Sequence, residues 1–388
     1  MPAELNMPRR ILLGPGPSEV NPRVLRAMST PLVGHLDPSF VALMEEVKEL
    51  LRQTFRTRNR LTFPLSATGS AGMEAVLVNL LEPGDSAVIC VNGAFGGRLA
   101  EIARRCGAEV TTCEVPWGEV IDVHVLRRML DGLPAAPRLI AAVHAETSTG
   151  ACQPLEEMSK LAHERGALFV VDAVTSLAGT ALEVDGWGID ACYSGTQKCL
   201  SCPPGLSPVT FSEAALDRLR ARKHKVQSWY LDVSLLEQYW GADRVYHHTA
   251  PITMVYALYE ALRIVHEEGL EARFARHLRN HHALVAGLEA LDMKMPVATK
   301  HRLSMLNGVF VPDGVDEASV RKRLLDRHGI EIGAGLGPWK GRVWRIGLMG
   351  ESSTPANVFV VLAALAEALG SQAGGAALGA AERVLATA

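Results

Sequence analysis

The sequence predicts an α/β protein in which a mostly parallel sheet is packed between helices. Short apolar runs rich in β-branched residues, such as residues 168–171, do not alternate with polar residues, which is typical of strands buried on both faces of a parallel sheet. Segments with helical apolar spacing, such as residues 41–55, alternate with these runs along the chain. Strands and helices that alternate in this way indicate the α/β class.

The composition indicates a globular protein without a nucleic-acid or membrane partner. A chain of 388 residues, of which 48% are hydrophobic, can bury the core of one large domain or of two. The formal net charge of -3 provides no basic footprint for nucleic acid, and we interpret the basic run at residues 218–225 as a solvated helix face. No apolar run reaches the roughly 18 residues that span a membrane, and the first residues lack the apolar middle of a secretory signal. We therefore expect a cytoplasmic protein.

The first part of the chain is predicted to contain an arm, two helices and a strand. Residues 1–18 form the arm, in which the prolines and glycines of GPGPS fix a loop. Asn21 is a predicted N-cap, with Pro22 in the first turn of the helix that follows. After the helix at residues 41–55, the apolar run at residues 61–65 predicts a strand.

The turn after this strand predicts an anion site. SATGSAG places Thr68, Gly69 and Ser70 at a helix N-terminus, where backbone amides and hydroxyl groups can bind a phosphate. The turn has neither the G-x-G-x-x-G spacing of dinucleotide-binding folds nor the Gly-Lys-Ser/Thr ending of a P-loop. It therefore argues against both of these nucleotide-binding classes.

Two further loops follow predicted strands and carry candidate site residues. The strand at residues 86–91 precedes NGAFGG, which places Phe95 on a loop flanked by glycines, where its ring can stack on a planar ligand or pack into the core. The strand at residues 139–143 ends in HAETSTG. Two interpretations of Thr147 in that run stay open, a site hydroxyl or part of a capping sequence for the next helix.

Asp172 and Lys198 are the central candidate site residues. Asp172 ends the apolar run at residues 168–171, and ligands of open α/β sheets bind outside the carboxyl ends of the strands. Lys198 follows a second run at residues 189–193. Burying its ammonium group costs several kcal/mol, so a lysine at this position is more typical of a functional site than of the core. Both side chains therefore predict a ligand site at one edge of the sheet.

The second half of the chain predicts an antiparallel strand, a long helix and a second α/β region. GLSPVTFS is the antiparallel strand, the aromatic-rich segment at residues 228–240 is predicted to be buried, and a helix spans residues 252–266. Shorter helices and strands follow, so we draw a domain boundary near residue 266. The Ala/Gly-rich segment at residues 370–388 predicts a loosely held tail with a helix near its end.

No metal site is predicted from the cysteines and histidines. The seven cysteines have no framework spacing and indicate free thiols in a reducing compartment. Cys199 and Cys202 form a C-x-x-C, but no second ligand pair follows at comparable spacing, as a zinc site would need. His277 and His281 share one helix face, which we interpret as exposed because arginines surround it.

These motifs in combination resemble the class V aminotransferases of pyridoxal-phosphate fold type I, closest to the alanine-glyoxylate and serine-pyruvate aminotransferase branch. The resemblance rests on LLGPGPSEVNPRV, SATGSAG, HAETSTG, the segment that joins Asp172 to Lys198, and WRIG. It implies a large cofactor-binding domain at residues 19–265, with a mostly parallel seven-stranded sheet between helices. It also implies a smaller C-terminal α/β domain at residues 266–388.

The resemblance implies roles for the candidate residues in binding pyridoxal 5'-phosphate. Lys198 is implied to bind the cofactor covalently and to transfer protons as a free amine, and Asp172 to pair with the ring nitrogen. Phe95 and Val174 are implied to contact opposite faces of the ring. Further cofactor contacts are implied for Thr68, Gly69, Ser70, Thr147, Gln197, Tyr246 and Thr249.

The resemblance also implies partners for this site. Tyr246 and Thr249 are implied to reach the phosphate of a neighbouring subunit, which predicts a homodimer with shared active sites. Gly16 is implied to lie on the substrate side, and Arg345 to hold the substrate α-carboxylate through a bidentate fork that lysine cannot reproduce. A buried structural ion pair is the alternative for Arg345.

The implied activity is transfer of the amino group of alanine or serine to glyoxylate or pyruvate by a ping-pong mechanism. No second cation is evident for a distal carboxylate, which disfavours aspartate and glutamate as donors. The alternatives on the same scaffold are 2-aminoethylphosphonate-pyruvate aminotransferase, serine-glyoxylate aminotransferase and cysteine desulfurase. A nicotinamide-dependent dehydrogenase and a non-catalytic small-molecule-binding α/β protein are more distant alternatives, and the missing dinucleotide fingerprint disfavours the first.

Overall fold

The computed structural model describes residues 4–387, in which a central sheet is flanked by helices. The strands in this part of the chain are β1 (Ile11–Leu12), β2 (Leu61–Leu65), β3 (Ser86–Val91), β4 (Glu109–Glu114), β5 (Leu139–Val143), β6 (Ala145–Glu146), β7 (Ala151–Cys152), β8 (Leu168–Asp172), β9 (Ala191–Tyr193), β10 (Ser207–Phe211), β11 (Leu306–Phe310), β12 (Ile330–Glu331), β13 (Gly333–Ala334) and β14 (Val343–Gly347). The helices are α1 (Pro22–Met28), α2 (Pro38–Phe55), α3 (Gly69–Leu80), α4 (Ala94–Arg105), α5 (Val123–Asp131), α6 (Glu156–Glu164), α7 (Glu213–Arg220), α8 (Val233–Trp240), α9 (Ile252–Glu268), α10 (Leu270–Ala290), α11 (Glu317–His328), α12 (Pro355–Leu369) and α13 (Gly374–Ala386). None of these helices is long and apolar enough to cross a membrane.

The central sheet has seven strands in the order β2-β10-β9-β8-β5-β3-β4. Only β10 runs antiparallel to its neighbours, β2 and β9, so the predicted mostly parallel sheet and the predicted antiparallel strand are both confirmed. The register aligns Asp172 of β8 with Val143 of β5 and with Tyr193 of β9. The carboxyl ends of these three strands therefore meet at one edge of the sheet.

Local capping explains where the first helices begin. The side chain of Asn21 accepts a hydrogen bond from the amide of Arg23 at 2.9 Å, and Pro22 occupies the first position of α1, as the sequence predicted. Asp37 accepts from the amide of Ser39 at 2.8 Å, and α2 begins at Pro38. Short polar side chains thus satisfy amides that the helices themselves leave unpaired.

Two large hydrophobic clusters form the core of the protein. One surrounds the central sheet and extends to Leu270, and the other joins α10, α11, α12 and α13 to the sheet β11-β14-β13. The chain passes between them at Gly269, which has a φ of 82° and separates α9 from α10. Leu13 of the arm packs in the second cluster, and β1 pairs with β12. We propose that the domain division lies at this break.

The C-terminal segment is packed, so the prediction of a loosely held tail is wrong, although its helix was expected. Helix α13 packs on α10 and α12, and Ala377 and Ala381 are fully buried. Small side chains allow helices to approach closely. An Ala/Gly-rich composition fits both such a closely packed helix and a flexible tail, so composition alone did not predict the packing.

The prediction that His277 and His281 lie on an exposed face is also wrong, because both side chains are buried. His277 bonds to the carbonyl of Arg273 at 2.7 Å through Nδ1 and accepts from the amide of Gly350 at 2.9 Å through Nε2. His281 bonds to the side chain of Asn307 at 2.6 Å. Burial lowers the pKa of His277 to about 3 and that of His281 to about 4, so both are neutral packing residues.

The packing of α13 can be tested with a matched pair of substitutions on this helix. We expect Ala381→Glu to lower the free energy of unfolding by about 3 kcal/mol, because it buries an unpaired carboxylate. Ala376→Glu, at an exposed position of the same helix, serves as the control and should have little effect. Guanidinium unfolding followed by circular dichroism measures both, and equal stability of the two variants would show that the tail is loosely held.

Candidate active site

A cavity of about 220 Å³ lies at the carboxyl ends of β5 and β8, beside the first turn of α3. Most of the residues singled out in the sequence line it. They are Gly69, Ser70, Phe95, Thr147, Asp172, Val174, Gln197 and Lys198. The sheet therefore brings together side chains that lie far apart in the sequence.

Asp172 is a buried acid held by neutral donors. Its side chain is 3% exposed, and its carboxylate accepts from the amide of Val174 at 2.8 Å and from the hydroxyl of Tyr193 at 2.7 Å. Burial raises the pKa of Asp172 to about 6 in spite of these hydrogen bonds. A cationic group beside the carboxylate would remove this penalty, so the position fits the protonated ring nitrogen of pyridoxal phosphate.

Lys198 lies on the loop after β9, and its amine donates a hydrogen bond to the carbonyl of Pro15. Burial, together with the charge of Arg345, lowers the pKa of Lys198 to about 8. A substantial neutral fraction near pH 8 makes the amine a nucleophile and a proton acceptor. These properties fit a lysine that forms a covalent bond with a carbonyl cofactor.

Gly16 lies against the amine of Lys198, although it does not line the cavity itself. A Cβ atom at Gly16 would be only 2.7 Å from Nζ of Lys198, and the φ of Gly16 is +107°. The left-handed backbone favours glycine here, and a Cβ atom would displace the amine of Lys198. This arrangement brings the GPGPS loop to Lys198.

The first turn of α3 offers unpaired donors to an anion. Thr68 is the N-cap residue but makes no capping hydrogen bond with its side chain, and the first intrahelical bonds come from Ala71 and Gly72. The amides of Gly69 and Ser70 therefore precede the hydrogen-bond ladder of the helix. These groups and the positive end of the helix dipole fit the phosphate of the cofactor.

Phe95 lies in the first turn of α4, which corrects its predicted position on a loop. The helix begins early because the buried carboxylate of Glu146 accepts from the amides of Phe95 at 3.1 Å and Gly96 at 3.2 Å. Burial raises the pKa of Glu146, and these hydrogen bonds oppose the rise. Glu146 thus holds a helix N-terminus that lines the cavity.

Thr147 and Arg345 are linked through the backbone. The segment HAETSTG forms the hairpin β6–β7 rather than a cap for α6, so that alternative for Thr147 is wrong. Arg345 donates to the carbonyl of Thr147 at 3.1 Å and to that of Ala334 at 2.7 Å. Burial lowers its pKa to about 10, and it forms no ion pair with a carboxylate of residues 4–387, so the structural ion pair is also wrong.

Tyr246 and Thr249 lie apart from the cavity of their own subunit. Both residues are exposed, on the segment that joins α8 to α9, and Tyr246 is 60% exposed. The nearby Trp229 is 62% exposed, which corrects the prediction that its aromatic segment is buried throughout. Buried side chains occur along the rest of that segment, from Leu231 and Val233 to Tyr239 and Trp240 at its C-terminal end.

Three residues of this site were missed in the sequence. Tyr193 ends β9 beside Asp172, and its position at the end of a neighbouring strand was a usable signal. Glu146 acts on α4 from a distant loop, so no local pattern identifies it. Arg98 lines the cavity from α4, although the sequence suggested no second cation there.

Comparison with known proteins identifies the family. The model of the Aminotransferase class-V family matches residues 12–338. The chain belongs to the class V aminotransferases. It is 43% identical over 380 residues to the (S)-ureidoglycine–glyoxylate transaminase of Bacillus subtilis, covering 93% of this chain and 91% of the relative. It is 42% identical over 371 residues to the alanine–glyoxylate aminotransferase of Callithrix jacchus, covering 94% and 89%.

Solved structures agree with this identification. The crystal structure of an alanine–glyoxylate aminotransferase from Nostoc sp. matches this aminotransferase with a TM-score of 0.94 at 49% identity. The match covers 95% of this chain and 97% of that chain. The predicted family, fold class and enzyme class are confirmed, and the dehydrogenase and the non-catalytic binding protein are excluded.

The buried acid of this aminotransferase makes a prediction about stability and pH. The rise in the pKa of Asp172 from 3.8 to about 6 corresponds to about 3 kcal/mol. Because the folded state favours the protonated acid, this cost appears as pH rises from about 4 to 6 and is fully present above. We expect cofactor-free Asp172→Asn to be more stable than the wild type at pH 7.5, with a difference that shrinks towards pH 4.

Thermal unfolding of both cofactor-free proteins between pH 4 and pH 8 measures this difference. Asp313→Asn, at an exposed carboxylate, is the control and should show no pH-dependent gain. A constant difference between Asp172→Asn and the wild type at all pH values would contradict the raised pKa.

Proposed function

We propose that this aminotransferase uses pyridoxal 5'-phosphate to move the amino group of alanine or serine to glyoxylate by a ping-pong mechanism. The observation that carries the proposal is the presence of Asp172 and Lys198 in one cavity. Asp172 is a buried acid without an ion-pair partner among residues 4–387, and burial makes Lys198 a weaker base. A ligand with a cationic ring would provide an ion-pair partner for Asp172, and its carbonyl group would react with the amine of Lys198.

Pyridoxal phosphate, when bound, supplies the electron sink for the reaction. Lys198 would then serve as the amine that accepts a proton from the substrate α-carbon and delivers it to the cofactor. Asp172 stabilises positive charge on the ring nitrogen by its negative charge. Arg345 uses two N–H groups on backbone carbonyls, and its remaining N–H groups are available to a substrate carboxylate.

The relatives support glyoxylate as the amino acceptor. The Bacillus subtilis and Callithrix jacchus relatives both carry glyoxylate in their names, at 43% and 42% identity. Pyruvate remains the other acceptor to test. The name of the Bacillus subtilis relative supports (S)-ureidoglycine as a second candidate donor, beside alanine and serine. 2-Aminoethylphosphonate is the donor that would require a different role for Arg345.

A panel of donors tests this function through single half-reactions. We expect alanine or serine to change the absorbance of the bound cofactor, and glyoxylate to restore it, because the two half-reactions are separate. (S)-Ureidoglycine tests the second candidate, while aspartate and glutamate should react poorly. Conversion by 2-aminoethylphosphonate alone would contradict both the proposed donors and the proposed role of Arg345.

The role of Lys198 is tested on the same protein. Borohydride reduction should attach the cofactor to Lys198, and Lys198→Ala should lose about 10³-fold or more in turnover, since the proton-transferring amine is removed. Lys160→Ala, at an exposed lysine, is the control. An adduct on another residue, or full turnover by Lys198→Ala, would refute the assignment.

A homodimer with shared sites forms part of the proposal. Tyr246, Val245 and Trp229 expose 60%, 48% and 62% of their surface, and Trp229 stacks on His247 with ring centroids 4.4 Å apart. Exposed aromatic patches of this kind are typical of protein interfaces. A second copy that covers this patch would bring Tyr246 and Thr249 towards the cofactor phosphate of the partner.

Mixed dimers test the shared site directly. We expect Lys198→Ala and the double variant Tyr246→Phe/Thr249→Ala to be weak or inactive alone, and to regain about a quarter of wild-type activity after random subunit exchange. The recovered activity comes from the one intact site of each mixed dimer. If Tyr246 and Thr249 acted within their own subunit, mixing would restore nothing.

The proposed compartment is the cytoplasm. All seven cysteines are free, and six of them are buried. Free buried thiols support a reducing compartment such as the cytoplasm.

A further inference from the structure

Arg98 places a second cation in the active-site cavity. It lies in the second turn of α4, and its guanidinium carbon is 4.9 Å from the ring centroid of Phe95, a cation–π distance. Its Nη1 donates to the hydroxyl of Ser70 at 3.3 Å. Arg98 therefore reaches across the cavity from α4 to the first turn of α3.

The other residues expected at the cofactor phosphate are uncharged. Thr68, Gly69 and Ser70 offer hydroxyl and backbone amide groups, whereas a phosphate monoester carries a charge of about −1.5 to −2 near pH 7. These groups therefore leave the negative charge of the phosphate without a cationic partner, and a nearby cation would compensate it.

Arg98 has the properties of that cation. The cationic side chains that line the cavity within residues 4–387 are Arg98 and Lys198, and Lys198 has its own role at the cofactor carbonyl. Arg98 forms no ion pair with a carboxylate of the described chain. Because Arg98 is exposed, its guanidinium is not committed to a buried network and pays little desolvation to bind an anion.

We propose that Arg98 binds the phosphate of pyridoxal phosphate at the first turn of α3. The guanidinium can exchange its contact with Ser70 for charge-assisted hydrogen bonds to phosphate oxygens, while it stays against the ring of Phe95. One side chain would then hold both the phosphate and the aromatic ring that is expected to stack on the cofactor. This inference rests on the proposed use of pyridoxal phosphate.

The test compares binding of pyridoxal phosphate with binding of pyridoxal, which has the same carbonyl group but no phosphate. The full-length protein is first freed of cofactor by dialysis with an amino donor. We expect Arg98→Met to raise the Kd of pyridoxal phosphate about tenfold or more, and to change the Kd of pyridoxal less than about twofold. Arg98→Lys should recover part of the loss, because the charge returns without the fork. Arg104→Met, an exposed arginine on the same helix, should leave both values unchanged.

Two other outcomes would overturn the proposal. An equal loss for both ligands would mean that Arg98 acts only through the ring of Phe95. Unchanged cofactor binding with a raised KM for a dicarboxylic donor would make Arg98 a substrate residue. If the wild-type protein bound neither ligand, the proposed function itself would fail, and this result is distinct from a failure of Arg98 alone.

Discussion

The carboxylate of Asp172, buried where β5, β8 and β9 end, is the constraint on which the active site depends. The amide of Val174 and the hydroxyl of Tyr193 replace only part of its lost hydration, because the pKa still rises to about 6. The negative charge of Glu146 adds to that rise. Asp172 therefore lacks a cationic partner among residues 4–387, and a protonated ring nitrogen would provide one.

The loop that carries Lys198 is held by the arm and by α10. Ser18 of the arm donates to the carbonyl of Lys198 at 2.7 Å, and Arg273 of α10 donates to that of Cys199 at 2.6 Å. Arg273 is itself buried and paired with Glu268. The position of Lys198 thus depends on how α10 and the arm pack against the central sheet. A change in that packing would move the amine relative to Asp172.

Local patterns predicted most of the fold and the centre of the site. Buried strands such as β2, β5 and β8 are short, continuous apolar runs, so their limits and the position of Asp172 were visible in the sequence. The start of α4 was not visible in the sequence, because the residue that caps it, Glu146, lies 51 residues from Phe95 in the chain. The burial of His277 was missed for a similar reason, since its partner Gly350 belongs to a distant loop.

The hairpin β6–β7 joins the two ends of the site. Its Glu146 caps the helix that carries Phe95 and Arg98, while the carbonyl of Thr147, one residue later, accepts from Arg345. The residues proposed for cofactor stacking and for substrate anchoring are therefore both tied to adjacent residues of one buried hairpin. A Cβ atom at Gly93 would lie only 2.4 Å from the side chain of Glu146, so the hairpin packs closely against the N-terminus of α4. A change in this hairpin would therefore disturb the proposed contacts of Phe95 and of Arg345 together.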